Sequence, residues 1–421
     1  MLDIEYIRQH PEEVQQNCID RNSAIDITAF LKVDADRREQ IQVVDQLRAQ
    51  RNEIAAQLQE SKGADAGLVE KGKSLKEVLV AAEQVLADLT DLFQTQLLQI
   101  PNTTHPAVPK GQEESDNVEL SRFLEPTVFD FTPKDHVAIG QDLGILDFER
   151  GADVAGRGFY YKKGGLAVLE MALIQFAMKK AMDAGFEPMI TPDVARHEIL
   201  QGTGYSPRGN ETQIYTLEGT DLGLVATAEI PVAGYYRKHT FAKGELDTPK
   251  RIVALSHCFR TEDGAYGKES RGLYRVHQFA KVELFVFCKP EDAEAEHEAI
   301  RELEEAIMQE LQIPYRLIDI CTGDLGASAH RKYDIEAWMP FKQDYGEVTS
   351  ASNCTTYQAR RLQIQYITDD GKKDFVHTLN GTAAALSRLP IAVMENNQQP
   401  DGSIILPNAL HEYSLGMRVI E

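Results

Sequence analysis

Two rhythms of apolar residues divide the chain. In the first quarter, Val33, Arg37, Gln40, Val44, Leu47, Arg51, Ile54 and Leu58 recur at alternating steps of four and three. Leu68, Lys71, Leu75, Val78, Ala82, Val85, Leu89 and Leu92 do the same. Sustained three-four spacing gives a narrow seam along a long helix, the signature of a coiled coil. Ser61 to Gly67, between the two runs, holds two glycines and small polar residues, which predicts an antiparallel helical hairpin. Residues 1 to about 25 read as a short helical segment started by Pro11, Glu12 and Glu13.

From about Val118 onward short strands and helices alternate irregularly, which predicts an α+β domain with a mainly antiparallel sheet flanked by helices. Leu166 to Ala184 has helical period and is ended by Gly185. Lys289 to Gln312 reads as an acidic helix with Ala295, Ala299, Leu303 and Ile307 on one face and solvated charge elsewhere. Period-two alternation is clearest from Ile252 to Phe259 and from Leu273 to Phe287, two strands joined by a polar loop containing Gly264, Gly267 and Gly272. On the second strand, Leu273, Arg275, His277, Phe279, Lys281 and Glu283 are predicted to share one face, and Tyr274, Val276, Ala280, Val282 and Leu284 the other. Arg260 closes the first strand. One sheet face thus offers guanidinium groups for phosphate or carboxylate, an aromatic ring for a base, and a carboxylate for an ammonium. From alternation alone, a face of solvated or mutually paired charges accounts for the same residues.

A chain of 421 residues suggests two or three domains, and 43% hydrophobic with 26% charged residues is ordinary for a globular protein. The net charge of −22 excludes general affinity for nucleic acid, so any RNA contact has to use a local basic surface. Cys18, Cys258, Cys288, Cys321 and Cys354 are widely spaced and odd in number, which points to reduced cytoplasmic thiols rather than disulfides or zinc. MLDIEYIRQH has the build of neither a signal nor a transit peptide, and no apolar run approaches membrane-spanning length. Three prolines after Ile100 mark a linker, so the expected division is 1–105, a linker at 106–117, and 118–421.

The stretch between the two strands says more. Phe259-Arg260-Thr261-Glu262, followed by Arg275-Val276-His277-Gln278-Phe279-Ala280-Lys281-Val282-Glu283, resembles the second signature motif of class II aminoacyl-tRNA synthetases, in the form seen in seryl-tRNA synthetases. The match spans about twenty-five positions, which makes it specific. Gly185 to Pro192 resembles the first class II motif, Leu224 to Pro231 the Thr-x-Glu loop of the seryl enzymes, and Tyr345 to Cys354 their metal-holding segment. Thr378 to Arg388 resembles the third motif, with Ala383 and Ser387 where glycines are usual and Thr382 where serine is common. MLDIEYIRQHPEEV and the hairpin are similar to the tRNA arm of that family.

The resemblance implies a dimer of class II catalytic domains (118–421) carrying helical tRNA-binding arms (1–105), with serine, ATP, Mg2+ and tRNA(Ser) as ligands and tRNA(Sec) as a further candidate. Implied catalytic residues are Arg260, Glu283 and Arg388. Serine would be held by Thr227, Ala228, Glu229, Arg260, Glu283, Asn380 and Thr382. ATP would be held by Arg260, Thr261, Glu262, Arg275, Val276, Phe279, Glu347, Val348, Thr349, Ser350 and Arg388, and the metal by Glu347 and Ser350. In a regular strand those last two would face opposite ways, so a bulge is expected between them. The arm is net acidic, nine Lys+Arg against thirteen Asp+Glu over residues 26–100, so its RNA contacts would rest on cations such as Arg37, Arg48, Arg51, Lys71, Lys73 and Lys76. On its residues alone the hairpin suits oligomerisation equally. Two alternatives stay open: a ligase loading serine onto a carrier protein, and a non-catalytic relative.

Overall fold

The computed structural model describes residues 1–60, 65–205, 214–262 and 272–421. Residues 61–64 of the expected hairpin turn, and Gly264 and Gly267 of the expected loop, lie outside them. The chain forms two compact units, Met1–Thr103 and Thr104–Glu421. Among the described residues no helix is long and apolar enough to cross a membrane.

In the first unit α1 (Ile4–Gln9) and α2 (Pro11–Asp20) precede two long helices, α3 (Ile27–Glu60) and α4 (Ala66–Gln99). Pro11 stands in the first turn of α2, where its missing N–H leaves nothing unsatisfied. The Asp65 side chain caps α4 by accepting from Gly67 and Leu68 N–H. Each long helix has 34 residues, a rod of about 51 Å. They run antiparallel: Phe30 stacks on Phe93 at 5.3 Å, Gln40 Nε2 donates to Ala82 O, and Arg48 pairs with Glu83 at 2.8 Å. Leu2, Ile7, Val14, Cys18, Ile27, Phe30, Phe93, Leu97 and Ile100 close a small core where the four helices meet.

The α3 seam runs as the spacing predicts except at Arg51, which is exposed, but the α4 seam does not follow it. Leu68, Leu75, Ala82 and Leu89 are partly buried, whereas Lys71, Val78, Val85 and Leu92 are exposed. Gly72, Leu79, Leu86 and Phe93 take their places. Both sets give heptad spacing, so the choice is made by the partner helix: Gly72 lies against the Ile54 side chain, and Phe93 stacks on Phe30.

The second unit is built on an eight-stranded sheet. Its strands are β1 (Val118–Phe123), β2 (Glu187–Ile190), β3 (Lys250–Phe259), β4 (Gln278–Cys288), β5 (Tyr315–Asp319), β6 (Arg331–Met339), β7 (Asp344–Asn353) and β8 (His377–Ala385). The spatial order is β1-β5-β6-β7-β8-β4-β3-β2, antiparallel except where β2 pairs with β3. Helices α5 (Gly164–Asp183) and α6 (Ala293–Glu310) contribute to the larger core together with Ala280, Val282, Leu284 and Val286 of β4. Phe285 and Phe287, of opposite parity, join a second apolar cluster with Ile252, Phe241 and Leu362.

Three expectations are corrected here. The second strand starts at Gln278, not Leu273, because Gly272 turns the chain with φ +75° and Leu273–His277 is irregular. Leu273 therefore drops into the large core, while Val276 packs with Cys258 and Phe279. The Pro-rich stretch is no free linker: His105 N–H donates to His330 O, Thr322 N–H donates to Pro109 O, and Val108 is buried against Ile318 and Ile320. Finally, the acidic helix α6 buries His297 and Glu304 beside Ile300, Leu303 and Ile307, so its inner face is not simply apolar and its charge not simply solvated.

The α4 seam makes a direct prediction. Leu79→Ala should destabilise the hairpin by about 2–3 kcal/mol, since it empties a packed position. Val78→Ala and Val85→Ala should stay within about 0.5 kcal/mol. Urea unfolding followed by helical circular dichroism checks this; the opposite ranking would restore the seam read from spacing.

Candidate active site

Strand β3 ends at Phe259, and the Arg260 N–H continues the pairing by donating to His277 O at 3.0 Å. This places the Arg260 guanidinium 5.3 Å from the Phe279 ring centroid, within cation–π range. Glu262 has φ +54°, a left-handed conformation that costs a residue with a side chain, and its carboxylate meets Arg275 Nη1 at 3.3 Å. Arg260, Glu262, Arg275, Val276 and Phe279 line one side of a cavity of about 170 Å³.

The other side comes from β7 and the end of β8. Thr349 pairs with Ile335, but the next pair is Glu347 with Glu336, so Val348 has no register partner. The expected bulge is present, and Glu347 and Ser350 both line the cavity. Arg388, at the start of helix α7 (Leu389–Asn396), binds Glu347 Oε1 at 3.0 Å and stacks over Tyr274 at 4.7 Å. Burial alone would raise the Glu347 carboxyl, but Arg388, Lys332 and Arg260 outweigh it and hold it down to about 2. Below the cavity Asp334 pairs with Lys332 at 2.7 Å and is pushed up to about 7, mainly by burial. Its Oδ1 is buried without a hydrogen-bond partner among the described residues, and Asp334 faces Ser350 across the β6–β7 ladder. Hard oxygen donors from Glu347 and Ser350, beside an unsatisfied carboxylate oxygen, suit a small divalent cation.

A second polar cluster lies deeper. Glu229 opens a short helix, Glu229–Tyr235, and its Oε1 accepts from Asn380 Nδ2 at 3.0 Å and from Gln358 Nε2. The Glu229 N–H donates to Thr227 Oγ1 at 3.2 Å. Burial, with the Glu283 charge added, pushes Glu229 up to about 7. Burial also raises Glu283, which Lys281 offsets through a close ion pair and Thr227 through a hydrogen bond. Lys281 itself lines the cavity, so the Lys281–Glu283 pair joins the two polar regions. The arrangement suits a ligand with an ammonium beside a phosphate-bearing aromatic base.

Of the residues singled out from sequence, Arg260, Glu262, Arg275, Val276, Phe279, Glu347, Val348, Thr349, Ser350, Thr382 and Arg388 share the cavity. Thr227, Glu229, Glu283 and Asn380 form the deeper cluster. Ala228 packs its side chain in the second apolar cluster, and Thr261 is not among the cavity-lining residues. Sequence reasoning missed Tyr274, Lys281, Ala385 and Ser387 as lining residues, and Gln358, which bridges Glu229 and Thr203 O. Lys281 carried a signal, since it shares parity with Phe279 and Glu283; Gln358 carried none.

Residues 1–104 match the seryl-tRNA synthetase N-terminal domain, and residues 215–397 the tRNA synthetase class II core domain (G, H, P, S and T). Over 98% of both chains the sequence is 48% identical to a serine–tRNA ligase of Dictyoglomus thermophilum. The fold is similar to that of a seryl-tRNA synthetase from Pyrococcus horikoshii complexed with ATP, with a TM-score of 0.87 and 38% identity over 100% of this chain and 99% of that one. It is also similar to a cytoplasmic serine–tRNA ligase from Naegleria fowleri in complex with AMP, with a TM-score of 0.82 and 31% identity over 99% and 97% of the two chains.

Proposed function

The chain belongs to the seryl-tRNA synthetase family of class II aminoacyl-tRNA synthetases, and from that premise we propose how its residues activate serine with ATP and load it onto tRNA(Ser), with tRNA(Sec) as a second acceptor. The observation that carries the reading is the convergence of Arg260, Phe279, Glu347 and Arg388 on one cavity, joined through Lys281–Glu283 to the Glu229 cluster.

The serine carboxylate attacks the ATP α-phosphorus and pyrophosphate leaves, giving seryl-adenylate; the terminal ribose hydroxyl of tRNA then attacks the seryl carbonyl, forming the ester as the anhydride bond breaks and AMP leaves. No protein nucleophile is needed, so catalysis rests on position and charge neutralisation. Arg260 neutralises the α-phosphate and holds the serine carboxylate, while Glu262 meets the adenine and Phe279 stacks on it. Arg275 and Arg388 take the outer phosphates. Glu229 and Glu283 receive the serine ammonium with Thr227, Asn380 orients Glu229, and Thr382 meets the serine hydroxyl. Glu347 and Ser350 would hold Mg2+, which supplies charge neutralisation on the phosphates when bound.

The hairpin serves as the tRNA arm. Arg37 stacks on Phe93 at 4.2 Å and Arg48 pairs with Glu83, so these two serve the hairpin itself. Arg51, Lys71, Lys73 and Lys76 are exposed and are the candidates for phosphate contact. Homodimerisation is supported by β2, an edge strand that ends in Ile190, 91% exposed, and by exposed Met171 and Met182 on α5. Five buried cysteines suit work in the reducing cytoplasm.

Serine-dependent ATP–pyrophosphate exchange, with threonine, alanine and cysteine as controls, tests the reading. Arg260→Ala should lower exchange by roughly a hundredfold or more without unfolding the protein. Arg260→Lys should fail as well, because an ammonium lacks the planar fork. Near-normal exchange in either variant sinks the assignment of Arg260.

The raised Glu229 gives a pH dependence. Its carboxyl is mostly protonated at about pH 6 and mostly charged at about pH 8, and only the charged form pairs with an ammonium. The serine KM should therefore fall as pH rises through about 7, and Glu229→Gln should raise KM and flatten that slope. A wild-type KM that is flat or rises with pH excludes Glu229 as receiver of the ammonium.

Replacing Val33 to Leu92 by a short turn should separate the two steps. Phe30 and Phe93 remain to close the small core, and the proposed serine and ATP residues all lie beyond Thr104. Exchange should persist while aminoacylation drops steeply. Unchanged aminoacylation by the armless protein would make the hairpin an oligomerisation device.

A further inference from the structure

Helix α6 carries a buried carboxyl that the reaction does not use. Glu304 is 1% exposed, lies behind the sheet, and touches neither the cavity nor the deeper cluster's Glu229. Its Oε1 accepts from the Thr382 N–H at 2.8 Å and its Oε2 from the Thr349 hydroxyl at 2.9 Å. Both partners flank irregularities in the sheet. Thr349 adjoins the Val348 bulge that turns Glu347 and Ser350 to the same side. Thr382 adjoins a second bulge, where Thr382 pairs with Glu283 and Ala384 with Val282, leaving Ala383 without a register partner.

A bulge takes backbone groups out of the ladder, and a buried N–H left alone costs free energy. Glu304 supplies the missing acceptor. The fold makes room for it at Gly381, where a Cβ would stand 2.7 Å from Glu304 Oε1 and 2.3 Å from Ile300 Cγ2. A carboxyl kept in this position, where an apolar side chain would bury more cheaply, implies a task. We propose that Glu304 is a positioning residue: one carboxyl clamps both bulges, so that the serine-side Thr382 and the ATP-side Glu347 and Ser350 are held in a single register. The inference rests on the roles given above to Thr382, Glu347 and Ser350. Burial, with Asp334 and Glu283 nearby, pushes the Glu304 carboxyl well above its usual range, so an amide of the same shape mimics its neutral form.

The test uses full-length variants in pyrophosphate exchange with serine and alanine, with folding followed by circular dichroism. Glu304→Gln keeps an acceptor for the Thr382 N–H and a partner for Thr349, and should stay within about twofold of the parent in both KM values. Glu304→Leu should raise the KM for serine and for ATP together, by about tenfold or more, and shrink the preference for serine over alanine. A misplacement of about 1 Å is enough for losses up to about a hundredfold. Thr349→Val, which loses one side of the clamp at a residue that also lines the cavity, should raise the ATP KM more than the serine KM. A folded Glu304→Leu protein with parental KM values overturns the proposal, as does a Gln variant as impaired as the Leu variant. If Glu304→Leu does not fold, Thr349→Val decides, and unchanged KM values there overturn it. Thr382→Ala separates the two levels of argument. If it leaves the serine preference intact, the role of Thr382 itself is wrong; if it blunts the preference while Glu304→Leu does not, only the clamp fails.

Discussion

Charge in the middle of a buried strand is the constraint on which this catalytic unit turns. Strand β4 is buried at every residue after Gln278, and it carries Lys281 and Glu283 at its centre. Taking such groups out of water costs several kcal/mol per ion, which holds only if they are paired and hydrogen-bonded. The Lys281–Glu283 ion pair meets the first of these conditions, and Glu283 Oε2 is left buried without a hydrogen-bond partner among the described residues. The rest of the sheet is arranged to allow it. The even-numbered side chains of β4 join the large core shared with α5 and α6, and Phe285 and Phe287 seal the far end of the odd-numbered face. What remains is a short polar window in an otherwise apolar strand, and the site occupies it.

The window was legible because its two flanks are local. Phe259 to Glu283 carries the second motif in one continuous run, and the conflict of parity between Glu347 and Ser350 announces the bulge that the β6–β7 register contains. Where the reading went wrong, the deciding contact was distant. Leu273 alternates well with its neighbours, yet the turn at Gly272 carries it into the core. Val78 and Leu79 are equally apolar, and only the opposing α3 surface decides which enters the seam. Gln358 and Glu304 reach the site's residues from other elements, Gln358 to Glu229 and Glu304 to Thr382, with separations of 129 and 78 residues that no periodicity records.

The same distance in sequence explains why titration behaviour was not legible. Glu229 and Glu347 are both carboxylates in polar company, yet one is pushed up and the other down. The difference lies in their nearest charges. Glu229 is buried with amide partners and a neighbouring carboxylate, whereas Glu347 meets Arg388, Lys332 and Arg260. A carboxylate held charged suits contact with a cation, and one poised near neutrality suits a partner that brings its own positive charge. In the proposed mechanism the two environments divide the labour between the nucleotide and the amino acid.

Net charge and local charge also part company. A chain of −22 has to attract ATP and RNA, both polyanions. Long-range attraction is weak at physiological salt, where fields fade within about 8 Å, so what matters is the charge met at contact. At the cavity, Arg260, Arg275, Lys281 and Arg388 face Glu262 and Glu347 in a partly dry setting, where each fixed cation counts for more than in water. On the hairpin, Arg37 and Arg48 are committed to Asp34 and Glu83, which leaves the exposed cations gathered toward the α3–α4 turn. An acidic protein of this design binds its anions only where cations are gathered, and repels them elsewhere. Under the proposed arm contacts the overall sign of the charge works for selectivity, because an RNA that cannot place phosphates on those few positions meets a surface that disfavours it.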